Sequence, residues 1–130
     1  MNKVFAYLSD FSNAEQWDPG TLTCRRTQGD GGVGSVYQNT SRFLGRQTRL
    51  EYTVLALEPD RLIQLRGLNK TVTSTDTMEL TRHGDGTEVT YTAEFEFSGV
   101  ARYIAPLLGP ALNKLGDGAE QGLLRELARL

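Results

Sequence analysis

The chain has 130 residues, with 14 Lys+Arg against 16 Asp+Glu and a net charge of −2. That is one domain, residues 1–130, long enough to bury a core without staples. It offers no dense basic cluster for a phosphate backbone, since Arg25-Arg26 and the trio Arg42, Arg46 and Arg49 are ordinary for solvated strand edges, and no nucleic-acid partner is expected.

The single cysteine, Cys24, has no disulfide partner and no metal-ligand neighbours, so no metal and no cofactor are expected and a reduced, cytoplasmic setting fits. Asp10 and Asn13 interrupt the apolar run near the N-terminus, which argues against a signal peptide. No apolar stretch approaches the roughly 20 residues of a membrane-spanning helix.

Val4, Phe5, Leu8 and Phe11 lie at helical spacing. Ser12-Asn13-Ala14-Glu15 matches a capping box, in which Ser12 and Glu15 each satisfy a backbone amide at the start of a second, very short helix. Pro19 ends that helix and Gly20 releases the chain.

From Thr21 to Phe97 the hydrophobic period changes to two, predicting strands over 21–28, 34–43, 46–57, 61–68, 71–82 and 87–97. The short separators imply antiparallel neighbours. In the last hairpin Arg82 pairs with Thr87, which places Leu80 opposite Val89, Met78 opposite Tyr91, Asp76 opposite Ala93 and Ser74 opposite Phe95. A turn at Asn69-Lys70 pairs Leu68 with Thr71, Ile63 with Asp76 and Leu65 with Ser74. A turn pairing Glu58 with Arg61 sets Ala56 opposite Ile63, Val54 opposite Leu65 and Tyr52 opposite Gly67. The apolar residues of four strands then share one face, and a one-residue slip would scatter them. A Leu44-Gly45 turn sends Tyr37, Asn39 and Ser41 inward and leaves Val36 outside.

After Gly99 the period is helical again. Leu108, Leu112, Leu115, Ala119, Leu123 and Leu127 mark one face of a helix from about Ala105 to Leu130, roughly 39 Å long at 1.5 Å per residue. Gly109, Gly116, Gly118 and Gly122 either leave space beneath it or allow close packing.

Two small helices, an antiparallel meander and a long C-terminal helix describe an α+β helix-grip fold. The segments VFAYLSDFSNAEQWDPG, TSTDTMELTRHGDGTEVTYTAEFEFSG and APLLGPAL resemble the polyketide cyclase/dehydrase-like branch of the START-like (SRPBCC) superfamily. The resemblance covers nearly the whole chain. It implies a curved sheet of about six strands gripping the long helix, with a cavity between them for lipids, sterols, polyketides or other hydrophobic small molecules; some members catalyse cyclisation or dehydration. The family pattern also has a strand before the first helix, inserted between the second and last strands, and this chain begins at Met1 without it. Two outcomes are expected: strands 21–28 and 87–97 pair directly, or their exposed edges drive formation of a homodimer.

Gly29-Asp30-Gly31-Gly32-Val33-Gly34 is a literal GxGxxG, but strands flank it on both sides, so the helix that a pyrophosphate site needs is missing. It is expected to be a mobile hairpin loop near the cavity mouth, with gating as its functional reading. Asp76 shares the apolar face with Met78 and Leu80, so it is either protonated or partnered. It is the candidate polar anchor or general acid. Its alternative is a local hydrogen bond to Tyr52 or Tyr91.

Tyr37, Tyr52 and Tyr91 are expected to converge with Asp76, as aromatics with polar tips in an apolar pocket, or else to be ordinary core. Trp17 is a wall of the pocket or a plug fixing the short helix to the sheet. Met78, Phe95, Leu112 and Leu115 complete the expected ligand-binding set. His83 sits at a turn, no serine has a histidine base nearby, and no His/Cys/Asp cluster has metal spacing.

The expected function is binding, with transport as an extension, of a hydrophobic small molecule. The alternatives are a cyclase or dehydratase using Asp76 and a cavity tyrosine, and a protein-interaction module without a small ligand.

Overall fold

A computed structural model describes residues 2–43, 46–84, 86–97 and 121–128. Helix α1 spans Asn2–Ser9, a 3-10 turn spans Phe11–Asn13 and helix α2 spans Ala14–Trp17. Six strands follow: β1 Thr21–Gln28, β2 Val36–Phe43, β3 Arg46–Glu58, β4 Leu62–Leu68, β5 Val72–His83 and β6 Gly86–Phe97. Residues 121–127 are helical. The rest of the helix expected from about residue 105, with Leu112 and Leu115, lies outside the described residues.

All six strands form one antiparallel sheet in the order β1-β2-β3-β4-β5-β6. The direct pairing of β1 with β6 is therefore absent, and these two strands are the edges of the described sheet. Bulges fall in β1 and between Val54 and Ala56 of β3, where an extra residue strengthens the local twist and bends the strand.

One face of the sheet builds the core. Tyr52 and Val54 from β3, Ile63 and Leu65 from β4, and Met78 and Leu80 from β5 are buried with Leu8, Phe11 and Trp17 from the N-terminal helices and Leu123 from the last helix. The opposite face of β5 and β6 carries threonine and glutamate from Thr73 to Thr81 and from Glu88 to Glu96, as a solvated face requires.

The β5–β6 register is the expected one throughout, from Arg82↔Thr87 to Ser74↔Phe95. Two other hairpins differ from expectation. At Asn69 the loop is two residues longer than the sequence suggests, because the Asn69 carboxamide accepts the amides of Thr71 and Val72 at 2.8 and 2.9 Å. Leu68 then pairs with Thr73, Leu65 with Asp76 and Ile63 with Met78. The shift is by two residues, so no side chain changes face. At the β3–β4 turn Glu58 pairs with Leu62 rather than Arg61, around Pro59-Asp60-Arg61, with Asp60 at φ 58. The bulge after Val54 absorbs the difference. Ala56 pairs with Gln64, and Leu57, not Ala56, lies opposite Ile63 against the core.

The capping box does not form. Asp10 caps the 3-10 turn, accepting the Ser12 amide at 3.1 Å, and Asn13 makes no side-chain cap for α2. Glu15 instead accepts the Cys24 backbone amide at 2.8 Å and pairs with Arg25 at 3.2 Å. Val36, expected outside, is buried at the root of the glycine-rich loop, next to the point where Gly34 N–H donates to Val54 O and Val54 N–H to Ser35 O. Ser35 Oγ also accepts the Gly31 amide at 2.8 Å, and Gly29, Gly31 and Gly34 all take positive φ. The loop is thus tied to β3, and a strand follows it, so it lacks the helix of a phosphate site.

Gly122 explains how the last helix meets the N-terminal pair. A Cβ at that position would lie 1.7 Å from the Trp17 carbonyl oxygen. Glycine here allows close packing of backbone on backbone. Arg125 reinforces the contact by donating to Gln16 O at 3.3 Å.

Candidate functional site

Strands β5 and β6 place Asp76 on the inner face, with Leu65 on one side and Ala93 on the other. Asp76 is 4 % exposed. Ser74, two residues earlier and therefore on the same face, donates from Oγ to Asp76 Oδ1 at 2.6 Å. Tyr91, opposite Met78, donates from Oη to Oδ2 at 2.6 Å. Burial pushes the Asp76 carboxyl above its ordinary value, against the lowering effect of those two hydroxyls, and the charge of Asp18 adds to the rise.

Tyr52 joins this group from β3. Its hydroxyl lies against Ser74, and burial followed by the charge of Asp76 holds its pKa well above the ordinary phenol value. Ser74 has one proton, already committed to Asp76, so Tyr52 is the donor toward Ser74. Tyr91 is raised well above the ordinary value as well, first by burial and then by Asp76. The result is a connected set of two tyrosines, one serine and one carboxyl on the inner face. Gly67, opposite Tyr52, makes it possible, since a Cβ there would stand 2.6 Å from the Tyr52 ring. Phe11 holds the same ring at a centroid distance of 4.8 Å.

Trp17 is 1 % exposed and packs edge-on against Tyr91 at 5.8 Å and against Phe11 at 6.5 Å. It anchors α2 to the sheet and backs Tyr91. Met78 is fully buried in the same core. Phe95, opposite Ser74, is 38 % exposed and stacks with Phe97 at 6.5 Å. The inner face of β6 therefore runs from the polar group at Tyr91 onto an exposed apolar surface.

Tyr37 does not converge with Asp76. It is buried beside Phe11 at 5.9 Å, and its hydroxyl bonds to Arg26 and the Phe11 backbone. An open pocket of about 220 Å³ lies on that side, lined by Ser9, Asp10, Arg26, Asp30, Gly31 and Tyr37. It is polar and shares only Tyr37 with the expected site.

Ser74, Gly67 and Asp18 were not singled out by the sequence. Ser74 carries a signal in its spacing of two from Asp76, and Gly67 in being a glycine inside a strand. Asp18 reads as a turn residue, and does bond the Gly20 amide at 2.9 Å and the Thr21 hydroxyl at 3.0 Å. Its carboxyl is raised by burial, against those two bonds. Cys24 is fully buried, and its thiol is pushed up to about 12, first by burial, so it is no ready nucleophile. Among the described residues no group of three His, Cys, Asp or Glu is placed to hold a metal ion, and no helix is long and apolar enough to cross a membrane.

The family described as "Polyketide cyclase / dehydrase and lipid transport" matches residues 1–130. No curated protein matches the sequence. Among solved structures, the Zhui aromatase/cyclase from Streptomyces sp. R1128 superposes with a TM-score of 0.83 at 14% identity, over 98% of this chain and 86% of that one. A protein from Thermus thermophilus gives 0.76 at 14% identity, over 95% and 84%. The ginseng major latex-like protein 151 from Panax ginseng gives 0.65 at 15% identity, over 95% and 87%. At these identities the likeness is one of fold: the α+β helix grip, a curved antiparallel sheet with helices on its inner face.

Proposed function

We propose that this chain, which belongs to the polyketide cyclase/dehydrase and lipid transport family of the START-like (SRPBCC) superfamily, binds a hydrophobic small molecule on the inner face of its sheet, with Asp76 and Tyr91 at the ligand's polar end. The observation that carries this reading is the juxtaposition of a buried, hydrogen-bonded Asp76 with the exposed apolar face at Phe95. A pocket that is mostly apolar, with a few convergent polar groups, orients one end of a ligand and buries the rest. Trp17 backs the site, Met78 is its floor, and Leu112 and Leu115 are its expected wall from the long helix.

Native mass spectrometry of the purified protein, with extraction of what it holds, tests the reading. A stoichiometric apolar adduct is expected. An adduct-free spectrum, together with no retention of added polyketide or lipid, would refute it.

A second reading is favoured by the 2.6 Å contact of Tyr91 Oη with Asp76 Oδ2. A buried carboxyl sharing a proton with a phenol is equipped for general acid–base work in a cyclisation or dehydration. Loss of turnover in Asp76→Asn with ligand binding intact is the result expected of an enzyme. Unchanged turnover would assign Asp76 to binding alone.

A further inference from the structure

The polar groups of the inner face have an uneven inventory. Asp76 receives the protons of Ser74 and Tyr91, each at 2.6 Å. Those two donors are thereby spent, and Tyr52 is turned to Ser74. What the cluster still offers is acceptor capacity, since each carboxylate oxygen has a second lone pair. A second carboxyl, Asp18, lies close enough for its charge to act on Asp76, Tyr52 and Tyr91.

Among the described residues no cation balances these carboxyls. Every described Lys and Arg side chain is exposed, and the ion pairs Arg25–Glu15, Arg61–Glu58 and Arg125–Glu126 lie at the surface. Arg26 is on the inner-face side of β1, opposite Tyr37, but it is exposed and shares its pocket with Asp10 and Asp30. An anionic head group at Asp76 would be desolvated beside two carboxyls, and no cation among the described residues would pair it.

Resting on the reading of this face as the ligand site, we infer that the site selects by charge: it takes an apolar molecule whose polar end is a neutral donor, an alcohol or a phenol, and rejects one ending in a carboxylate or phosphate. The donor hydrogen bonds to the Asp76 carboxyl. The rejection is electrostatic: it comes from the like charges of Asp76 and Asp18 beside the head group, so neutralising Asp76 relieves it.

The test pairs probes of one skeleton and two head groups, 1-naphthol with 1-naphthoate and 1-dodecanol with dodecanoate, titrated calorimetrically into the intact protein at pH 7.5. The neutral member of each pair is expected to bind at least about tenfold more tightly, equal to about 1.4 kcal/mol. In Asp76→Asn that ratio is expected to close, mainly through tighter binding of the carboxylate. Carboxylates that bind as well as the alcohols would overturn the inference and leave the pocket reading standing. A ratio unchanged in Asp76→Asn would overturn the role given to Asp76. Failure of all four probes to bind would take down the ligand reading and the inference together.

Discussion

Replacing Gly122 by alanine should reverse the usual sign of a glycine-to-alanine change in a helix. At an exposed helical position the substitution gains up to about 1 kcal/mol, because glycine gives up more backbone freedom on folding. Gly122 is buried, and its new Cβ would stand 1.7 Å from Trp17 O and 2.8 Å from Trp17 C. Real Cβ atoms essentially never approach within 3.0 Å of such atoms, so the helix must retreat by about 1.3 Å. The obstacle is backbone, which has no rotamer to escape into. Retreat loosens Leu123 and Trp17, both within the core. Overpacking of this kind costs about 1–3 kcal/mol and here outweighs the propensity gain, for a net loss of about 2 kcal/mol. Urea unfolding followed by Trp17 emission reads the effect. With a slope of about 1–3 kcal/mol per M, the midpoint should fall by roughly 1 M. Gln121→Ala, at an exposed position of the same helix, is the control and should leave it nearly unchanged. A midpoint for Gly122→Ala at or above that of the parent would refute the close seating of this helix on α2.

Asp76 makes stability depend on pH in a definite direction. Its folded pKa is raised above the ordinary 3.8, so between the two values the folded protein holds a proton that the unfolded chain has lost. Stability therefore falls as pH rises through that window and levels off above it. Asp76→Asn should gain on the parent across the same window, measured by urea unfolding from pH 3.5 upward; parallel curves would contradict the raised value. Asp18 shifts in the same direction, and the comparison of parent with variant separates the two. Tyr91→Phe removes the donor to Asp76 Oδ2 and should cost about 1–3 kcal/mol, with most of the loss absent in the Asp76→Asn background; full additivity would show that the two side chains act independently. Gly67→Ala drives a methyl into the Tyr52 ring and should destabilise by about 1–3 kcal/mol, and a silent substitution would mean that the ring is free to move aside.

The sheet is legible in the sequence because its signals are local and repeated. Strand positions follow from alternation, and the β5–β6 register follows from a tight turn that admits one pairing. The length of the Asn69 hairpin is hidden because a side chain, not the backbone, sets it; Asn69 accepts two amides that the hydrophobic pattern does not report. The β3 bulge escapes for a similar reason. Leu55 and Ala56 are both apolar enough for either face, so alternation is silent where the extra residue enters.

Asp76 stands out as a charge on an apolar face, and Tyr91 follows from its register. Tyr37 joins them by strand face alone, but it lies on β2, three strands from Asp76, and turns to Arg26. Glu15 is ambiguous because a capping box and a strand-edge clamp call for the same residue type, and only the tertiary fold brings Cys24 within its reach.

Glu15 also gives the sheet a polarity. By taking the Cys24 amide, which β2 leaves unused, it stoppers one margin of the sheet with a charged group from the chain's own helix. Among the described residues no side chain is bonded to the backbone of β6, whose charged residues Glu88, Glu94 and Glu96 are all acidic. A strand coming to β1 meets a carboxylate already bonded to one of the amides it would need, and a strand coming to β6 must tolerate or neutralise three carboxylates. Growth through a single margin ends with two partners, whereas a fibre needs both margins open. A carboxylate two residues before the tryptophan therefore limits how far this sheet can propagate.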